Sequence, residues 1–468
     1  MRISHPFSRL ALLTVASAVL AASAKDFRVS SAAELAGITN ELRAGDTVIL
    51  KDGDWTGQAL VLTGQGTVEK PVTFRAESPG KVRLTGKSSM IINGQNVIAS
   101  GLLFEGGQGP GDAIKLLGRR CRLTETAMVG GDYKFFVHMY GTENRLDHCY
   151  LAGKTNDSPT LQIEVEGKPN RHLIDHNHFG PRPPLGRNGG ETMRVGYSHQ
   201  SMTNSGTVVE RNLFERCDGE IEIISNKSCE NVYRFNTFRD CAGMLTLRHG
   251  NRCVVEGNFF LGQHKRGSGG IRIIGEDHVV INNYIDGVTQ GGFWITSGIP
   301  DSPLTGYFQA RRCLIAFNTL VDSPGPCLDL SAGFGASGRT LRPESITIAN
   351  NLFAPTSGKL EKGEEGENYR WVGNAVSKAA GTAPERPGVR PMDLQLNRGK
   401  DGLRRPGADS PLRRAAEGEF PMVKIDIDGQ ERTVPADIGC DQIATSPASN
   451  HPLAPGEVGP SWMLPPRR

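Results

Sequence analysis

Val208-Val209-Glu210-Arg211-Asn212-Leu213-Phe214 returns 24 residues later as Val232-Tyr233-Arg234-Phe235-Asn236-Thr237-Phe238. It returns again 22 residues on as Val254-Val255-Glu256-Gly257-Asn258-Phe259-Phe260. Further copies run from Leu173 to Phe179, Val279 to Ile285, Leu314 to Leu320 and Thr347 to Phe353. The repeated asparagines, Asn177, Asn212, Asn236, Asn258, Asn283, Asn318 and Asn351, lie 35, 24, 22, 25, 35 and 33 apart. Weaker copies occur at Leu103-Phe104 and Leu146 to Tyr150. One short strand–turn unit per coil, lengthened where a loop is inserted, predicts an all-β, single-stranded parallel β-helix. Each coil of such a stack buries its inner face only against its neighbours, and insertions emerge at the side. A β-propeller needs a period of about 40–45 residues, and a leucine-rich repeat needs a leucine pattern that is missing here. The repeated Asn is expected to stack in a turn and satisfy backbone groups.

Working outward, Ser31-Ala32-Ala33-Glu34 is a capping box. It opens a short amphipathic helix with Leu35, Ile38 and Leu42 on one face, placed to cap the open end of the stack. Residues 1–24 read as a signal peptide: Arg2 and Arg9, an apolar run from Leu10 to Leu20, and Ala22-Ser23-Ala24 before Lys25. The β-helix is assigned to 25–360. Final coils and packing segments follow over 361–442, and a Pro-rich, flexible tail over 443–468. Without the leader, 51 basic residues face 50 acidic ones. That balance argues against general nucleic-acid or membrane-surface binding. The expected protein is exported, periplasmic or secreted, not inserted in a membrane, and monomeric. Nine cysteines leave at least one thiol unpaired. The even spacing of Cys217, Cys229, Cys241 and Cys253 reads as stacked buried thiols.

The chemistry concentrates between Asn188 and Arg248. Glu220 and Glu222 stand two apart in an apolar, β-branched run. In a strand both carboxylates project from one face, where they repel and call for a cation or a shared proton. Counted from the preceding repeat Asn, Asn188, Glu222, Arg248, Arg272 and Trp294 lie at similar offsets. With coils about 4.8 Å apart, they and Glu220 should form a polar stripe up one wall. Such a stripe suits an extended polymer.

Three segments in order carry a resemblance: Asn188-Gly189-Gly190-Glu191-Thr192-Met193-Arg194-Val195-Gly196, Glu220-x-Glu222-x(4)-Lys227, and Leu247-Arg248-His249-Gly250. Together they resemble polysaccharide lyase family 6, which contains alginate lyases and chondroitinase B, a dermatan sulfate lyase. The resemblance covers roughly residues 25–440. It implies a right-handed parallel β-helix, Ca²⁺ ligands at Asn188, Glu220 and Glu222, a Brønsted base at Lys227 and a Brønsted acid at Arg248. It also implies substrate contacts at Arg194, His249 and Arg272. From the residues alone, Arg194 and Arg272 suit sugar carboxylates, and Trp294 could stack on a sugar ring or simply pack. Oxygen-only ligands favour Ca²⁺, with Mg²⁺ or Mn²⁺ behind it, and give nothing to Zn²⁺. The expected reaction is β-elimination of alginate. Its rivals are dermatan sulfate cleavage, hydrolysis by a pectinase-type β-helix, and non-catalytic binding of a polysaccharide.

Overall fold

The computed structural model describes residues 23–356, 359–378, 386–444 and 446–463. The leader reading lies almost wholly outside them. The repeat unit folds as a strand, a two-residue corner and a second strand. Val208–Glu210 and Leu213–Glu215, for example, flank Arg211 and Asn212. The residue before each ladder Asn is left-handed, with φ of 52° at Arg211, 56° at Phe235 and 64° at Gly257. That corner passes the chain from one sheet to the next.

Stacking these units builds three long parallel sheets, two of 14 strands and one of 12. The middle residue of each first strand points inward: Val209, Tyr233, Val255, Val280, Ile315 and Ile348 are all fully buried. Across the core, Phe179, Phe214, Phe238 and Phe260 stack ring on ring with centroids 4.6–4.7 Å apart. Such pairs add about 0.5–1.5 kcal/mol each beyond burial. The chain is a parallel β-helix, as the period predicts.

The asparagines form a continuous buried ladder. Asn236 Nδ2 donates to Val209 O at 2.9 Å and to Asn258 Oδ1 at 3.0 Å, while its Oδ1 accepts from the Asn212 amide at 3.0 Å. Asn374 extends the ladder by one coil. Asn236→Ala would strand a buried amide and a buried carbonyl, each worth about 1–3 kcal/mol when unpaired. It is expected to destabilise the fold by about 3 kcal/mol, read as a lower denaturation midpoint at unchanged slope. No loss of stability would show that the ladder is ornamental.

Helix α1 (Ala32–Ile38) covers the first coil. Ser31 caps Glu34 N, and Leu35 is buried beneath it. All nine cysteines are free and buried. The twelve-residue spacing resolves into two stacks offset by half a coil: Cys217 N donates to Cys241 Sγ at 3.3 Å, and Cys229 and Cys253 lie at the other turn.

The coils continue past 360, with strands Arg370–Val372, Asn374–Ser377 and Val389–Met392. Beyond them, Leu394, Leu403, Leu412, Ile427 and Ile438 cover Phe259, Tyr284 and Leu352, apolar side chains on the outside of one 14-stranded sheet. The expectation of a free Pro-rich tail needs correcting. Residues 446–463 run back along the same flank. Leu453 N meets Thr237 Oγ1, Gly459 N meets His176 O, and Trp462 Nε1 meets Glu125 O. Proline is tolerated there because the tail docks through a few scattered donors, such as Leu453 N and Gly459 N, and not through a continuous ladder.

Candidate active site

The 12-stranded sheet holds the strands of all three motif segments, Met193–Val195, Glu222–Lys227 and Gly243–His249, side by side. Its register stacks Gln162, Arg194, Ser225, Thr246, Arg272 and Trp294 in one outward column on successive coils. Of the residues the offsets place in one stripe, Arg272 and Trp294 share this column, and Arg194 joins them without having been expected there. Asn188, Glu220, Glu222 and Arg248 do not lie in that column; they stand beside it.

Glu220 precedes its strand, which begins at Glu222 and runs to Lys227. Register breaks occur between Glu222 and Ile224, and between Asn226 and Lys227. Simple alternation therefore fails here, and the bulges aim the side chains instead. The carboxylates still converge, but in company that the i, i+2 argument did not supply. Glu191, Glu220 and Glu222 each offer an oxygen, all within 4.8 Å of one another. Glu191 is the candidate ligand that sequence reasoning passed over, although it stands inside the Asn188–Gly196 segment. Two glycines allow the approach: a Cβ on Gly190 would meet Gly219 O at 2.4 Å, and one on Gly219 would meet Gly190 O at 2.1 Å. Asn188 is exposed on the loop above and lines a hollow of about 550 Å³ with Asp218 and Glu220.

The donor set fits a hard divalent cation. Glu191 Oε2 and Glu220 Oε1 are buried with no hydrogen-bond partner, an arrangement costly for carboxylates unless a cation compensates them. Burial, then the Glu191 and Glu222 charges, pushes the Glu220 carboxyl up to about 8. The sign of the consequence follows. A carboxyl whose folded pKa lies above its unfolded value near 4.3 stabilises the fold while protonated, and that contribution is lost as pH rises through about 8. In chelator the protein should therefore lose thermal stability between about pH 5 and pH 8. Added calcium should restore more of it at the upper end. A melting temperature that climbs across that window in chelator would contradict the uncompensated cluster.

Lys227 is half-buried, and burial is the main force lowering its ammonium pKa; Glu222 and Glu191 oppose it, while Arg194 and Arg248 act the same way as burial. The amine and the carboxylates thus lie close enough to feel each other's charge. Arg248 is fixed by Nη1 donating to Gly306 O at 2.8 Å, and its guanidinium lies 4.0 Å from the Tyr307 ring centroid. Arg339 and Arg272 approach the same ring at 4.5 and 5.6 Å. Tyr307 and Arg339 sit on loops inserted between coils. No periodicity marks such positions, so the sequence carried no signal for them.

Arg272 is buried, with Nη1 3.7 Å from Glu222 Oε1 and an unpartnered Nε. Trp294 donates Nε1 to Gln290 O and lies between Arg272 and Lys362, 6.0 and 5.5 Å from its ring. Arg194 is held by Gln162 Oε1 at 2.6 Å and lies over Tyr197. His249 is fully buried against Phe308. Burial and the adjacent Arg248 and Lys227 charges keep it neutral, with its pKa near about 2.

The family model described as Chondroitinase B matches residues 29–364. Among solved structures, the chain is 32% identical to the polysaccharide lyase family 6 alginate lyase AlyGC, over 95% of this chain and 59% of that one, with a TM-score of 0.82. It is 33% identical to a mannuronic acid specific family 6 lyase from human gut microbiota, over 79% and 91% of the two chains, with a TM-score of 0.70. A third is the family 6 lyase Pedsa3628 from Pseudopedobacter saltans, 25% identical over 94% and 100%, with a TM-score of 0.69. The chain therefore spans about three-fifths of the length of AlyGC. No curated protein matches it by sequence. A family match over most of the coils, on a β-helix carrying the three motif segments, places this chain in polysaccharide lyase family 6, the chondroitinase B family.

Proposed function

We propose that the protein is an exported lyase that cleaves alginate by calcium-assisted β-elimination. The observation that carries this reading is the half-buried Lys227 amine within charge range of convergent carboxylates and the fixed Arg248 guanidinium, on a sheet bearing Arg194 and Arg272. No helix among the described residues is long and apolar enough to cross a membrane.

Elimination from a uronate requires removal of the C5 proton beside a carboxylate that is already negative. Glu191, Glu220 and Glu222, with Asn188 from the loop above, would hold the cation. When bound it supplies Lewis-acid stabilisation of the enolate-like charge. Lys227, kept toward its neutral form by burial, takes the C5 proton. Arg272 and Arg194 pair with sugar carboxylates and set the register of the chain in the cleft. Arg248 scarcely deprotonates. Its role is to hold the substrate carboxylate and stabilise the departing C4 oxygen, with water delivering the proton. Donors aimed at developing charge lower the barrier most.

Dermatan sulfate is the second reading, favoured by the Chondroitinase B family match. The test is incubation with alginate, dermatan sulfate and pectin while following the ultraviolet absorbance of the new double bond. Absorbance on alginate supports the proposal, and absorbance on dermatan sulfate alone shifts the substrate. Reducing ends without absorbance would mean a hydrolase, and binding without turnover a recognition module.

A further inference from the structure

Arg182 follows strand His178–Phe179 and is 2% exposed. Its hydrogen bonds go to neutral oxygens. Nη1 donates to Thr160 Oγ1 at 2.8 Å and Glu191 O at 3.0 Å. Nη2 donates to Asn156 O and Ser158 O, both at 2.9 Å, and to Gly189 O at 3.4 Å. Its backbone pairs with the next coil just before Glu220: Asp218 N donates to Arg182 O at 2.9 Å. A Cβ on Gly219 would meet Arg182 Nε at 2.7 Å, so the guanidinium stem lies directly under the residue preceding Glu220. Asn156 is itself anchored by the buried Lys154 ammonium, which also donates to Tyr133 O at 2.8 Å. One side chain thus ties together three successive coils at the point where two of them deliver a carboxylate.

We propose that Arg182 is the positioning residue of the cation site, holding the backbone of Glu191 and Glu220 at ligating distance. Guanidinium suits this task because its planar fork spans several carbonyls at once, which a lysine ammonium does not. Burial lowers its pKa to about 10, opposed by the Glu191 and Glu220 charges, and the group stays cationic while bonding neutral oxygens and leaving the carboxylates unpaired. The inference rests on the metal reading above.

The test is calcium titration by calorimetry of the full chain, with thermal unfolding in chelator recorded in parallel. Arg182→Lys keeps the charge and removes the fork. It should weaken calcium binding about 10–100-fold, the range seen when groups supporting metal ligands are lost, and turnover should recover at saturating calcium. Thr160→Val removes a single acceptor and should weaken binding about threefold. If Arg182→Lys does not fold, this second variant decides. Unchanged calcium affinity in a folded variant overturns the inference, even where its unfolding temperature falls. Absence of calcium binding by the wild-type chain would overturn the metal reading and this inference together.

Discussion

Lys227→Ala is expected to lower double-bond formation on alginate by about 10³-fold in kcat, within the 10²–10⁴ span that a general base contributes. Its calcium affinity and unfolding temperature should stay close to wild type. Lys227 is the last residue of its strand, paired with His249 across the bulge at Arg248, and it is not part of the apolar core. Burial takes the ammonium toward its neutral form, which is the form able to accept the C5 proton. A variant retaining more than a tenth of wild-type kcat would take Lys227 out of the base role. The same experiment separates base from binder: loss confined to KM would make Lys227 a substrate contact.

The paired variant Glu220→Gln with Glu222→Gln should be the more severe. Replacing two of three converging carboxylates takes away most of the charge that would hold a divalent cation. Calcium binding should fall below detection, and turnover should drop by at least as much as chelator treatment of the wild type. The fold should survive and even gain stability above about pH 7, because the cost of burying a charged Glu220 and its repulsion from neighbouring carboxylates are relieved. Full activity in the paired variant, or wild-type turnover undiminished by chelator, would mean that the cluster does not serve catalysis through a cation.

The two predictions draw on different sources. The coil repeat, the Asn ladder and the capping helix were legible in the chain, and the chain also offered Lys227, Arg248, Glu220 and Glu222 as candidates for the chemical centre. Glu191 was visible as a letter but not as a partner. Its approach to Glu220 depends on Gly190 and Gly219 facing each other across adjacent coils, a relation that sequence spacing does not encode. Tyr307 and Arg339 were not legible at all, because they come from inserted loops whose path is set by packing rather than by a period. The tail was misjudged because proline content predicts loss of regular structure, not loss of contact. Outward-facing side chains such as Leu213 gave it a surface to cover.

By itself the sequence determined the architecture, since a stack of coils is a local rule repeated: each unit buries an apolar residue inward and hands an amide to the next. It also determined which residue types meet near one another, because successive coils turn sequence offsets into columns. The tertiary structure alone decided the aim of those side chains. Bulges at Ile223 and, on the neighbouring strand, at Arg248 break the alternation that spacing assumes, and glycine contacts set how closely two carboxylates come. Buried Arg182 holds three coils in one place. These are relations between backbones far apart in the chain, fixed only when neighbouring coils pack.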